Sequence, residues 1–117
     1  MRTTVLMVDD HTGFRARARA LLEAEGFAVV GEAADGRSAL AAAARLHPDV
    51  VLVDVGLPDM DGFAVAAGLR ETGDALHIVL ISGRTREDYG DRVTTSAADG
   101  FIAKADLTGE RLAEVIG

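Results

Sequence analysis

The sequence contains no cysteine, no tryptophan, only two prolines and a single lysine, Lys104. Without cysteine it can form no disulfide, no thiolate metal site and no cysteine nucleophile, and a reducing compartment fits this composition. Aromatic residues make up 4% of a chain that is 49% hydrophobic. We therefore expect a core built from aliphatic side chains, packed without covalent cross-links.

Long apolar segments and an excess of positive charge are also absent. The apolar runs are far shorter than the roughly 20 residues of a membrane helix, and the residues after Met1 lack the pattern of a signal peptide. The formal net charge is −7, whereas a surface that grips nucleic acid is basic. We expect no membrane span and no direct contact with nucleic acid, although DNA could be bound by a further domain of a longer chain.

Strand-like and helix-like segments alternate five times along the 117 residues, a length typical of one domain. We predict a single domain over residues 1–117, with strands at 4–8, 28–33, 50–53, 77–81 and 100–103. Helices are predicted at 12–26, 35–48, 63–72, 86–97 and 107–116. Gly90 and the run 94–96 give the fourth helix poor propensity, so we expect it to be short or mobile.

The predicted strands are apolar on both faces, which indicates a parallel sheet covered by helices on both sides. Right-handed crossovers then favour a doubly wound sheet. A small five-stranded sheet of this kind is most often flavodoxin-like, a (βα)5 fold with strand order 2-1-3-4-5. In such folds the functional site lies beyond the carboxyl ends of the strands.

Polar side chains follow four of the five strands. Asp9 and Asp10 follow the first strand, Asp54 the third, Ser82 the fourth and Lys104 the fifth. In the predicted strand order these four strands are neighbours, so three carboxylates, one hydroxyl and one ammonium should face a single pocket. Taken singly, each has an ordinary role as a turn former, helix cap or solvated charge. Their joint occurrence makes that explanation improbable.

A cluster of carboxylates is unfavourable when it is empty. Two carboxylates about 4 Å apart repel by ~4 kcal/mol at an effective dielectric near 20. A proton or a cation relieves this repulsion, and oxygen ligands without a thiolate or imidazole favour Mg²⁺ or Mn²⁺. The backbone carbonyl of Gly56, just after Asp54, is a further candidate ligand. We expected His11, His47 and His77 to be exposed or structural rather than catalytic.

With a metal bound, Asp54 is a candidate nucleophile toward phosphorus. Phosphoryl transfer depends mostly on positioning and charge neutralisation. Lys104 is placed to neutralise one phosphoryl oxygen as a point charge, and the Ser82 hydroxyl could bind another. The predicted product is an acyl phosphate on Asp54.

Four segments then match a known family: MVDDH, VLVDVGLPDMDG, LISGR and GFIAKADL. The chain resembles, over nearly its whole length, the receiver domain of bacterial two-component response regulators. The start DDH and the end KAD are most similar to the subfamily that carries a C-terminal helix-turn-helix of the NarL or LuxR kind. The resemblance implies that Asp54 is the phosphoacceptor, that Asp9, Asp10 and the Gly56 carbonyl arrange Mg²⁺, and that Lys104 contacts the phosphoryl group.

The resemblance also implies the partners and the output. A sensor histidine kinase or a phosphotransfer protein would donate the phosphoryl group, and Ser82 and Phe101 would act as a switch pair. Homodimerisation or release of an output domain, expected to be a DNA-binding transcriptional one, would follow in a cytoplasmic signalling pathway. The protein would catalyse only its own phosphorylation and dephosphorylation, so it is not predicted to be an enzyme toward other substrates. The last predicted helix runs to Gly117 without a linker, which suggests a domain cut from a longer chain.

The sequence departs from the pattern of this family at three positions. Ala105 follows Lys104 where many receivers have proline, so we expect a trans bond there. Ala97 stands where glycine is common, which leaves the end of the fourth helix without its usual stop. Phe101 has no hydroxyl, so its part in a switch must depend on burial of the ring.

Three alternatives remain open at this point. A Mg²⁺-dependent phosphohydrolase commonly has a second aspartate two residues after the first, but Gly56 occupies that position. A flavodoxin-like protein that binds FMN needs a first loop that cradles phosphate, which Asp9 and Asp10 would repel. A receiver-like interaction module that is never phosphorylated is the third alternative.

Overall fold

The computed structural model describes residues 2–73 and 75–117, and over these residues the chain forms one parallel sheet of five strands. The strands are β1 (Thr4–Val8), β2 (Ala28–Ala33), β3 (Val50–Asp54), β4 (His77–Ser82) and β5 (Gly100–Ala103). Their order is β2-β1-β3-β4-β5, which confirms the predicted flavodoxin-like fold. β3 and β4 each extend one residue beyond the predicted end, so Asp54 and Ser82 are the last residues of their strands.

Helices follow each strand, as the alternating pattern predicts. They are α1 (Thr12–Ala24), α2 (Gly36–Leu46), α3 (Gly62–Glu71), α4 (Asp91–Thr94) and α5 (Gly109–Ile116). The side chains of Asp35, Asp61 and Thr108 cap α2, α3 and α5 by accepting bonds from backbone N–H groups. The longest helix has 13 residues, and no helix in the described part of the chain could cross a bilayer.

The core lies on both faces of the sheet because alternate residues of each strand point in opposite directions. Along β1, Leu6 and Val8 belong to a cluster with α2 and α3, while Val5 and Met7 belong to a cluster with α1 and α5. All four side chains are fully buried. Burying one such aliphatic side chain contributes about 1.5–3 kcal/mol, so the sheet is the rigid element of the fold.

The predicted fourth helix over residues 86–97 is wrong as one continuous helix, although the expectation that it would be short is confirmed. A single 3₁₀ turn at Arg86–Asp88 precedes Gly90, whose φ is +57°, and α4 has only four residues. The hydroxyls of Thr94 and Thr95 both donate to the carbonyl oxygen of Asp91. These local bonds compete with further helical turns, and glycine permits the break before α4.

The remaining local expectations concern single residues. No cis peptide bond occurs in the described residues, so the bond between Lys104 and Ala105 is trans as predicted. His47 ends α2 in a left-handed conformation with φ of +48°, just before Pro48. This is a structural role, as expected, because proline disfavours helical conformation in the residue before it.

Gly62 fixes the loop between Asp54 and α3. Its N–H donates to the carbonyl oxygen of Val55 at 2.8 Å, which brings the start of α3 against the end of β3. A Cβ at position 62 would lie 2.5 Å from the carbonyl oxygen of Asp54 and 2.8 Å from Cα of Val55. Since both are backbone atoms, neither can move aside easily. The absence of a side chain is therefore a steric requirement of the Asp54 loop.

We expect Gly62→Ala to lower the free energy of unfolding by about 1–3 kcal/mol, because α3 must shift away from β3. The matched control is Gly13→Ala in α1, whose Cβ would meet only the end of the flexible Arg17 side chain. That change should be neutral or stabilise by up to ~1 kcal/mol through helix propensity. Urea denaturation of both variants provides the measurement, and equal effects would contradict the steric explanation.

Candidate functional site

The predicted site residues meet at the carboxyl edge of the sheet. Asp9 follows β1, Asp54 ends β3, Ser82 ends β4 and Lys104 follows β5. The register pairs Asp54 with Ile81 on β4, and Ser82 with Ala103 on β5. Since these strands are adjacent and parallel, their last residues reach the same edge.

Lys104 binds two of the carboxylates at once. Its Nζ lies 2.5 Å from Oδ2 of Asp9 and 3.3 Å from Oδ2 of Asp54. The ammonium also lies 4.5 Å from the centre of the Phe14 ring, which covers one side of it. The structure thus brings the single lysine and the central aspartate together across the end of β1.

Asp9 is fully buried, and its two oxygens have different surroundings. Oδ1 accepts a bond from the backbone N–H of His11 at 2.8 Å. Oδ2 is paired with the Lys104 ammonium at 2.5 Å and has no other partner among the described residues. A carboxylate oxygen keeps a free lone pair beside one such partner, so Oδ2 remains a candidate ligand for a divalent cation.

His11 belongs to this group, which the sequence analysis did not foresee. Its ring is 67% exposed, as expected for a loop residue, but Nδ1 lies 3.0 Å from Asp9 Oδ1 and 3.2 Å from Asp10 Oδ1. Asp9, Asp10, His11 and Asp54 each offer one potential ligand atom, and these atoms all lie within 4.8 Å of one another. Its position directly after the Asp9-Asp10 pair was the only signal in the sequence.

The pKa of Asp54 is raised above the ordinary value for an aspartate. Burial is the main cause, because the side chain is 5% exposed, and the nearby charge of Asp9 acts in the same direction. The ammonium of Lys104 and the N–H of Gly56 oppose this shift, since both stabilise the ionised carboxylate. The Gly56 N–H lies 3.3 Å from Oδ1 of Asp54. The proposed metal-ligating role of the Gly56 carbonyl stays a prediction.

Ser82 is buried and already hydrogen-bonded. Its Oγ shares a bond of 2.6 Å with the hydroxyl of Tyr89, and it accepts a second bond from the backbone N–H of Arg84 at 3.0 Å. Tyr89 lies within the predicted fourth helix over residues 86–97, and nothing in the sequence pattern indicated this contact. Ser82 therefore lies at the same edge as Asp54 but is bonded to the segment that precedes α4.

Phe101 is buried beside the same tyrosine. Its ring centre lies 5.8 Å from that of Tyr89, which in turn lies 5.8 Å from that of Phe63. The side chain of Phe101 is 6% exposed, so the ring is already inside the protein in this structure. The two residues predicted to form a switch pair are joined by Tyr89, which contacts both.

Comparison with known proteins agrees with this geometry. The family model described as response regulator receiver domain matches residues 5–116. BvgA of Bordetella pertussis, whose name describes a transcription regulator of virulence factors, is 37% identical over 116 residues, which cover 99% of this chain. The matched region is 54% of BvgA, so the chain spans about half the length of this curated relative.

Two solved structures are similar over nearly the whole chain. The signal receiver domain of a NarL response regulator from Mycobacterium tuberculosis has a TM-score of 0.85 and 33% identity, with 99% of this chain and 98% of that chain covered. CheY from Borrelia burgdorferi, solved in a complex of CheX, CheY, BeF₃ and Mg²⁺, has a TM-score of 0.84 and 25% identity, with 97% and 85% covered.

Replacing Asp54 by asparagine should stabilise the metal-free protein at pH 7, by of order 1 kcal/mol. The pKa of Asp54 is higher in the folded than in the unfolded protein, so its ionisation costs stability as pH rises through the folded pKa. Below the ordinary aspartate pKa of about 3.9 the cost disappears, and so should the advantage of the variant. Urea denaturation with a chelator, at several pH values, measures this dependence.

The matched control is Asp59→Asn, which should have the opposite sign. The exposed Asp59 accepts bonds from the N–H groups of Gly36 and Arg37, which lower its pKa. Its ionised form therefore stabilises the fold at pH 7, and this contribution is lost as pH falls through the lowered pKa. If Asp54→Asn were destabilising at pH 7 in the same experiment, the electrostatic description of the site would be wrong.

Proposed function

The chain belongs to the family of response regulator receiver domains, and from this premise we propose that Asp54 accepts a phosphoryl group in a reaction that depends on Mg²⁺ or Mn²⁺. The observation that carries the proposal is the meeting of Asp54, Asp9 and Lys104 at one buried edge. A buried nucleophilic carboxylate beside a cation is the arrangement that phosphoryl transfer requires.

The residues present fit a divalent metal ion. Asp9, Asp10 and Asp54 against the single charge of Lys104 leave two negative charges when all are ionised, and among the described residues the Lys104 ammonium is the one partner of Asp9 Oδ2. These carboxylates and the carbonyl of Gly56 would hold the ion. When bound, the ion would neutralise charge on the carboxylates and on a phosphoryl oxygen. The Borrelia CheY complex with BeF₃ and Mg²⁺ supports this assignment.

The chemical step follows from the position of Asp54. A carboxylate oxygen of Asp54 attacks phosphorus, and the bond between phosphorus and the donor's imidazole nitrogen breaks with its electron pair left on nitrogen. The product is an acyl phosphate. Lys104, which binds both Asp9 and Asp54 in this structure, then has a phosphoryl oxygen within reach and stabilises its charge.

Signalling follows from what surrounds the phosphoryl group. Phosphorylation adds charge and three acceptor oxygens, and Ser82 is the nearest buried hydroxyl at the same edge. If Ser82 moves toward the phosphoryl group, the packing of Phe101 and of the face formed by α4, β5 and α5 must change. The phosphoryl group thereby biases an equilibrium between two arrangements.

The donor and the output are proposed from the family. A sensor histidine kinase or phosphotransfer protein supplies the phosphoryl group, and a homodimer or an attached transcriptional domain receives the signal. The part of BvgA outside the matched region leaves room for such a domain. Hydrolysis of external phosphate esters is disfavoured, because Gly56 offers no side-chain acid two residues after Asp54.

We expect Asp54→Asn to abolish labelling by acetyl phosphate and Mg²⁺, because the amide is not a nucleophile toward phosphorus. Asp59→Asn, which lies in the same loop and points to α2, should be labelled like the wild type. Incorporated phosphate can be measured by intact-protein mass spectrometry. Equal labelling of the Asp54 variant would refute the phosphoacceptor assignment and favour a receiver-like module without this chemistry.

Mg²⁺ should raise the melting temperature of the wild-type protein, because binding relieves repulsion among the clustered carboxylates. At a concentration about ten times the dissociation constant the gain is ~1.4 kcal/mol, or about 6 °C for a chain of this size. Asp9→Asn should lose most of the gain, while Asp59→Asn should keep it. A melting temperature that millimolar Mg²⁺ leaves unchanged would rule out the metal site.

A further inference from the structure

The hydroxyl of Ser82 is engaged before any phosphoryl group arrives. Its bond to the Tyr89 hydroxyl is 2.6 Å long, and the backbone N–H of Arg84 donates to the same oxygen at 3.0 Å. Whichever hydroxyl donates, the shared bond holds Ser82 Oγ toward the segment that precedes α4. Moving this oxygen toward a group on Asp54 must lengthen or break the bond.

Tyr89 also links the elements on which the proposed switch depends. Its hydroxyl contacts β4 through Ser82, and its ring lies between Phe101 of β5 and Phe63 of α3. Phe101 itself has no hydroxyl, so Tyr89 is the aromatic side chain of this cluster that can form a hydrogen bond with Ser82. A change at Ser82 is therefore transmitted first to Tyr89.

Regular structure is short on both sides of Tyr89. Tyr89 lies between a single 3₁₀ turn and the four-residue α4, and Gly90 follows it with a φ of +57°. The side-chain contacts that fix α4 include an exposed ion pair of Arg92 with Asp61, at 3.3 Å, and the Arg92 guanidinium 4.4 Å from the centre of the Phe63 ring. Exposed contacts of this kind contribute little to stability, so the buried side chain of Val93 is the main anchor of α4.

We propose that Tyr89 is a positioning residue that holds Ser82 in the unphosphorylated arrangement. Phosphorylation of Asp54 then requires Ser82 to exchange its bond with Tyr89 for a bond with a phosphoryl oxygen. Loss of that bond frees the Tyr89 ring, and with it the packing of Phe101. This inference rests on the proposed phosphoacceptor role of Asp54 and adds a competing contact that opposes the transfer.

Tyrosine absorption and emission provide a direct readout, because Tyr89 is the only tyrosine and the chain has no tryptophan. Addition of BeF₃⁻ with Mg²⁺, a probe that imitates the phosphoryl group, should change the tyrosine spectrum of the wild type as the hydroxyl loses its partner. In Ser82→Ala the spectrum should start in the altered form and change little. A higher melting temperature would show that the probe binds the wild-type protein. If the probe binds and the tyrosine spectrum stays unchanged, the inference is overturned.

Removal of the hydroxyl alone tests the energetic role. Tyr89→Phe keeps the ring and should raise the rate of Asp54 labelling by acetyl phosphate about two- to tenfold, the range for loss of one opposing hydrogen bond. In a Ser82→Ala background the same substitution should leave the rate unchanged, because the contact is already missing. A rise that persists without Ser82 would show a general loosening of the segment and would also overturn the inference.

Arg92→Gln is the matched control for a general loosening of the segment around Tyr89. It removes the ion pair with Asp61 and the contact with the Phe63 ring but leaves the bond between Ser82 and Tyr89. We expect its labelling rate to stay close to that of the wild type, and a rise as large as that of Tyr89→Phe would contradict the role of the hydroxyl. If wild-type protein is not labelled at all, the proposed function fails and this inference fails with it. Normal labelling with no effect of Tyr89→Phe refutes this inference alone.

Discussion

The ammonium of Lys104 holds together a site that would otherwise repel itself. Asp9 and Asp54 are both buried at the end of the sheet, and burying one carboxylate without a partner costs several kcal/mol. Lys104 contacts both and so offsets part of that cost, yet a single positive charge cannot neutralise two carboxylates and the adjacent Asp10. Burial raises the pKa of Asp54, and the nearby charge of Asp9 adds to the increase. In the proposed function, a divalent cation offsets this remaining negative charge.

The parallel sheet makes this concentration of charge possible. Its strands are fixed by two apolar clusters, one on each face, and neither Asp54 at the end of β3 nor Ser82 at the end of β4 belongs to them. The ends of four adjacent strands are therefore free to carry polar side chains to one edge. The stability comes from aliphatic burial in the sheet, while the chemistry lies in residues that the sheet positions. Gly62 completes the arrangement, because its missing side chain lets α3 start directly against the loop that follows Asp54.

The segment that contains Tyr89 is built differently from the site. The segment from the 3₁₀ turn at Arg86–Asp88 through α4 has little regular structure and depends on a few side-chain contacts. Tyr89 connects it to the rigid sheet through one hydroxyl bond to Ser82 and through ring contacts with Phe63 and Phe101. A small displacement at the end of β4 can therefore reach this segment through Tyr89.

The sequence was enough to predict the strands to within one residue, their order and the convergence of Asp9, Asp54 and Lys104. Hydrophobic periodicity is a local property of the chain, and parallel topology allows few strand orders. The continuous fourth helix was predicted wrongly, since hydroxyl bonds to the backbone and a glycine break outweigh weak periodicity there. Only the tertiary structure decided that Tyr89 shares a hydrogen bond with Ser82 and that His11 turns toward the acidic pair. Such contacts depend on rotamers and on the packing of distant segments, which no spacing rule along one chain specifies.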